Sequence, residues 1–101
     1  MIHVIASITI KAGRKDEFLG IFKANVANVV KEKGCIEYRP AVDAATGLAA
    51  QIVDDNMVTV IEKWHSVEDL KVHLTAPHML AYREKVAAMV ESVALKVLQD
   101  A

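Results

Sequence analysis

Residues 2 to 11 alternate. Ile2, Val4, Ala6, Ile8 and Ile10 form one apolar face, and His3, Ile5, Ser7, Thr9 and Lys11 form the other. That period of two predicts a strand with one buried side. Gly13 breaks it, and Arg14 to Lys33 reads as a helix. Phe18, Ile21, Phe22, Ala24, Val26, Val29 and Val30 gather on one side at steps of three and four, while Lys15, Asp16, Lys23 and Lys31 keep to water. Gly34 stands where a glycine ending a helix belongs. Cys35 to Val42 is expected to be extended, with a turn around Asp43 to Gly47, and Leu48 to Val53 to continue or pair with it. Asp54-Asp55-Asn56 signals a turn, and Met57 to Trp64 is the clearest central strand. Ser66 is a good cap for a short helix, with Asp69 completing an imperfect capping box. Thr75 is expected to start a second helix, with Pro77 in its first turn, where a missing N–H does no harm. Val93 to Gln99 reads as the last strand.

The predicted order, β-α-β-β-α-α-β, is the ferredoxin-like α+β pattern with a split second helix. It implies one domain over residues 1–101: an antiparallel four-stranded sheet with helices on one face. The other face is also expected to be apolar. Met57 and Ile61 stand behind Val58 and Val60, and Ala94 and Leu98 oppose Val93, Leu95 and Val97. A partner sheet is the natural cover, and a symmetric homodimer is its simplest source.

Composition narrows the partners. The chain of 101 residues is 53% hydrophobic and 5% aromatic, so its core rests on aliphatic side chains. A net charge of -1 gives no electrostatic reason to expect nucleic acid or an anionic membrane surface as partner. No apolar run approaches the roughly 20 residues of a spanning helix. With no basic n-region or cleavage site near the N-terminus, no secretory leader is expected, and cytoplasm is the expected compartment. The single Cys35 excludes an internal disulfide and a CxxC motif.

The chemistry concentrates in EKWHSVEDLKVHLTAPHMLAYREKV, from Glu62 to Val86. It holds the only tryptophan, three of the four histidines, one of the two tyrosines and Arg83. There is no GxGxxG, no GxxxxGK[ST], no HExxH and no GxSxG. His65, His73, His78 and Glu62 match no familiar metal spacing, and no metal site is predicted. His73 and His78 would point about 140° apart on an unbroken helix. Pro77 disfavours helical geometry at Ala76, so the chain is expected to be re-aimed between them. Both imidazoles can then address one pocket between helices and sheet, where a neutral histidine can accept a proton from a phenol or enol. The plainer alternative has one of them capping a helix and the other solvated. Trp64 is either core packing or an apolar wall for a flat aromatic substrate. Tyr82 can donate to a carbonyl; Arg83 steadies an anion or simply faces solvent. Tyr38 and Arg39 are weaker substrate-binding candidates, and Cys35 reads as structural.

The segment Glu62–Val86 resembles the antibiotic biosynthesis monooxygenase family, whose members carry an E-x-W-x-S-x-x-x-L-x-x-H-x-x-x-x-H stretch in the same place. The opening MIHVIASITIKAGRKDEF is similar to its first strand, turn and helix. KEKGCIEYRPAVDAATGLAA resembles the E-G-C-x-x-Y segment of the bacterial quinol monooxygenase branch. The likeness covers nearly the whole chain. It implies a dimeric ferredoxin-like α+β barrel that oxidises quinols or anthrone-like aromatics with dioxygen, without metal, flavin or haem. On that resemblance Trp64 is the pocket tryptophan and His73 and His78 the helix histidines, with Tyr82 and Arg83 where pocket polar residues occur in some members. Together with the chemistry above, His73 and His78 are the catalytic candidates and Trp64, Tyr82, Arg83 and Tyr38 the substrate-binding ones. Haem-degrading relatives carry asparagine on the first strand where this chain has Ser7, which argues against haem degradation. Other relatives sharing H-x-x-x-P-H isomerise small sugar-like phosphates, and a non-catalytic dimeric ligand-binding or stress protein is the third alternative.

Overall fold

A computed structural model describes residues 1–101. The elements are β1 (Ile2–Ile10), α1 (Lys15–Val29), β2 (Cys35–Val42), β3 (Met57–Trp64), α2 (Val67–Leu74), α3 (Pro77–Val86) and β4 (Val90–Gln99). The strands form one antiparallel sheet in the order β2-β3-β1-β4. This is the ferredoxin-like α+β arrangement expected from the element order, with the second helix in two pieces.

β1 follows its alternation without exception. Ile2, Val4, Ala6, Ile8 and Ile10 are buried under the helices, and the residues between them are half-buried on the reverse face. β3 does the same with Val58, Val60, Glu62 and Trp64 inward. A carboxylate therefore lies on the core face of the central strand. α1 meets the sheet through Phe18, Phe22 and Val29. Asp16 and Glu17 in its first turn favour the positive end of the helix dipole. Phe18, Phe22, Tyr38 and Tyr82 then pack as one aromatic cluster, with Phe22 stacked on Tyr38 at 5.4 Å and edge-on to Tyr82 at 5.7 Å.

Several sequence expectations shift. α1 stops at Val29 rather than Lys33, and residues 30–34 turn back through bonds from Glu32 N–H to Val29 O and Cys35 N–H to Glu32 O. Gly34 is thus not the residue that ends the helix. Its φ of +81° serves this later turn, and any Cβ there would collide with the Asp69 side chain. Leu48 to Val53 forms no strand. Asp54 N–H donates to Asp43 and the Gln51 amide to Ala44 O, so polar side chains hold the segment as a loop. Ser66 does cap α2, accepting from Asp69 N–H at 3.2 Å. Thr75 closes α2 instead of opening α3; Ala76, extended before Pro77, precedes the next helix.

β2 carries a bulge. Cys35 pairs with Trp64 and Glu37 with Lys63, leaving Ile36 as the extra residue. Tyr38 opposite Glu62 therefore points to the helix side, three residues after Cys35, which faces the same way. β4 is the other departure. Its register puts Val93, Leu95 and Val97 beside Ile8, Ala6 and Val4, on the helix-bearing face. All three remain exposed, because the helices stop short of this edge strand. The reverse face is more mixed than the sequence suggested. Ile5 and Ile61 pair there, amid Ser7, Thr59, Lys63 and Glu37. No helix is long and apolar enough to cross a membrane.

Candidate active site

Between the helices and the β1–β4 flank of the sheet lies an apolar cavity of about 390 Å³. Ala6 and Ile8 form part of its floor, Met79 and Val86 part of its roof, and Val93 and Leu95 its open side. Five residues with polar groups reach it: Tyr38 from β2, Glu62 from β3, His73 from α2, and Tyr82 and Arg83 from α3.

His73 is 1% exposed. Its Nδ1 lies 2.9 Å from Glu32 Oε2, and a carboxylate only accepts, so Nδ1–H donates. That fixes the tautomer and leaves the lone pair on Nε2. Nε2 makes no protein hydrogen bond, and His73 lines the cavity. The ring lies on Trp64, with centroids 4.7 Å apart, and edge-on to Tyr38 at 5.3 Å. Burial is the largest influence on its pKa and pushes it down, against the opposing pull of Glu32. The neutral, proton-accepting form is thereby favoured.

His78 also turns to Glu32. Its Nε2–H donates to the same Oε2 at 2.7 Å, from the far side. The break at Ala76–Pro77 does bring the two imidazoles together, but on one carboxylate rather than into one cavity. His78 lies outside the cavity wall, in a groove between α1 and α3 with Asn25, Asn28 and Lys85. Glu32 Oε1 is enclosed and has no partner at all. An unpaired buried acceptor costs about 1–3 kcal/mol, so the fold spends stability to keep this carboxylate on the two rings.

Trp64 is fully buried and does not line the cavity; of the two roles the sequence left open, core packing and an apolar wall for substrate, its position matches the first. It lies beneath His73 and donates Nε1–H to Glu62 Oε1 at 3.0 Å. Glu62 is 7% exposed and meets no cation. Burial, outweighing the Trp64 hydrogen bond that opposes it, raises its pKa to about 7; Glu32 adds a smaller push upward. Tyr38 and Tyr82 are buried, which pushes both phenols up and keeps them as O–H donors. Neither hydroxyl has a protein partner, and both residues line the cavity. Arg83 donates Nη1–H to Leu74 O at 2.6 Å, tying α3 to the end of α2 while its side chain borders the cavity. Arg39 pairs with Glu37 on the reverse face, away from the site. Cys35 is pushed up to about 11 by burial and by the charges of Glu32 and Glu62, so it is a poor nucleophile. No group of three or more His, Cys, Asp or Glu side chains is placed to hold a metal ion.

Residues 1–85 match the family described as antibiotic biosynthesis monooxygenase. The chain belongs to the antibiotic biosynthesis monooxygenase family. Among its relatives is the "Probable quinol monooxygenase YgiN" of Escherichia coli, 38% identical over 98% of this chain and 97% of that protein. Solved structures share the fold, among them the following two. PA3566 from Pseudomonas aeruginosa superposes with a TM-score of 0.82 at 24% identity, covering 99% of this chain and 93% of its own. Rv0793 from Mycobacterium tuberculosis gives 0.82 at 24%, covering 99% and 94%.

Two residues that meet the site's polar groups, Glu62 and Glu32, were given no catalytic or binding role by the sequence. Glu62 was legible in principle, since it shares the parity of Val58 and Val60 on β3. Glu32 lies in a turn, where no periodicity tells which way a side chain faces.

Proposed function

We propose that the protein is a cofactor-independent monooxygenase that oxidises a quinol or anthrone-like aromatic with dioxygen. One observation carries this: a buried histidine whose Nδ1 is held by Glu32, and whose Nε2 has no protein partner, lines an apolar cavity. Dioxygen reacts slowly with closed-shell organic molecules because of its spin state. A phenol or enol becomes its own electron donor once deprotonated, so the protein must supply a base, an apolar space and donors for the oxyanion. His73 Nε2 takes the hydroxyl proton, and Glu32 steadies the imidazolium that results. Tyr82 and Tyr38 donate to the developing oxyanion. Arg83 adds positive charge at the rim, and Trp64 acts from beneath by fixing the His73 ring. His78 holds Glu32 from the other side, a positioning rather than a proton-transferring part.

The name of the E. coli relative supports the quinol as substrate class. An isomerase of sugar-like phosphates is less well served, because Arg83 is the only cation on the cavity wall and one of its arms is committed to Leu74 O. The protein is further proposed to act as a cytoplasmic homodimer of one-domain subunits. Exposed Val93, Leu95 and Val97 on the open edge of the sheet support association.

Oxygen uptake with menadiol tests the assignment. His73→Ala should lower kcat/KM on the order of 10² to 10⁴-fold, with the fold checked by circular dichroism. His78→Ala should cost less, since Glu32 keeps its bond to His73. A folded His73→Ala with the wild-type rate would remove the base from this account.

A further inference from the structure

We infer that Glu62 is a second proton acceptor of this cavity, serving a hydroxyl of a dihydroxylated aromatic substrate other than the one His73 deprotonates. The inference rests on the quinol reading above and extends it to a residue that reading leaves idle.

The geometry is specific. Glu62 lies on the inward face of β3 with Val58 and Val60, and it lines the cavity. Its Oε1 is held by Trp64 Nε1–H at 3.0 Å. Its Oε2 makes no protein hydrogen bond, on a residue that lines the cavity. A structural role does not account for this. A buried carboxylate kept for stability is paired with a cation or fully hydrogen-bonded, and Glu62 is neither. The ionisable groups facing it are acidic or neutral for the most part: Glu32 from the turn after α1, Cys35 and Tyr38 from β2, and Tyr82 from α3. His73 from α2 and Arg83 from α3 share the cavity wall. Burial, with a smaller push from Glu32, favours proton uptake by Glu62 near neutral pH.

The chemistry calls for two acceptors. A dihydroxylated aromatic deprotonated at both hydroxyls gives electrons to dioxygen more readily than one deprotonated once, and each O–H needs its own acceptor. His73 Nε2 has room for one. In the second transfer the substrate O–H bond breaks, its electron pair stays on the substrate oxygen, and the proton bonds to Glu62 Oε2. The same indole contacts both acceptors, so Trp64 sets their relative position.

The experiment compares wild type, Glu62→Gln and Trp64→Phe with menadiol, first anaerobically by the phenolate absorbance of the bound compound, then by oxygen uptake across pH 5 to 9. Glu62→Gln is expected to remove part of the phenolate signal, lower kcat/KM on the order of 10²-fold and erase a pH limb near 7. Trp64→Phe deletes the hydrogen bond that favours the ionised form and should move that limb upward. A menadiol spectrum and a pH profile identical to wild type in Glu62→Gln overturn the inference while leaving the monooxygenase reading intact. Wild type that binds menadiol without taking up oxygen overturns the monooxygenase reading, and the anaerobic spectrum alone then decides for or against Glu62. Failure to bind menadiol overturns both.

Discussion

The acid–base groups of this site owe their properties to burial more than to charged neighbours. Glu62 and His73 move in opposite directions for the same reason, since exclusion of water disfavours whichever form is charged. Their contributions to stability have opposite signs as well. The Glu62 pKa rises from 4.5 to about 7, so between those values the folded state binds more protons than the unfolded. Stability contributed by this group is therefore full below about pH 4.5 and lost as pH rises to about 7. His73 is lowered, so its contribution is lost instead as pH falls through the ordinary histidine range. Glu62→Gln should consequently leave stability near pH 5 little changed and raise it on the order of 2–3 kcal/mol at pH 8. Urea unfolding at the two pH values measures the difference. An equal effect at both would mean that Glu62 is not carrying a buried charge.

At the level of elements, the strands were legible and the joints between them were not. β1 and β3 keep one parity throughout, so hydrophobicity alone tells which residues face the helices. β2 changes parity at Ile36, and no pattern in CIEYRP announces it; the inward turn of Tyr38 depends on an extra residue visible only in the pairing with β3. Leu48 to Val53 looked like a strand because it is apolar, but Asp43, Gln51 and Gly47 give the backbone another way to satisfy itself. The histidine segment declared its importance by composition. Its counterpart Glu32 did not, since a turn residue among lysines reads as surface charge. Gly34 illustrates how tight that joint is. Its positive φ and the approach of Asp69 leave no place for a side chain, so Gly34→Ala should destabilise the protein on the order of 2 kcal/mol or more. Thermal unfolding reads this directly, and activity should fall as well, because the same turn carries Glu32 to His73. A variant as stable as wild type would show that the turn relaxes freely.

In the molecule as a whole, the helices protect the sheet from β2 to β1 and leave β4 bare on the same side. Val93 and Leu95 belong at once to the cavity lining and to the exposed surface, so the pocket has three walls of protein and one of solvent. Water at that side would weaken every electrostatic interaction the site depends on. The proposed self-association, by covering β4, would make an enclosed pocket a property of the pair. Specific activity should then depend on dilution: constant while the protein is associated, and falling with the first power of concentration once subunits separate. Oxygen-uptake assays over a thousandfold dilution series, alongside sedimentation equilibrium, would give matching midpoints. A pocket closed only in the pair would tie the enzyme's output to its own abundance, a form of control that needs no effector.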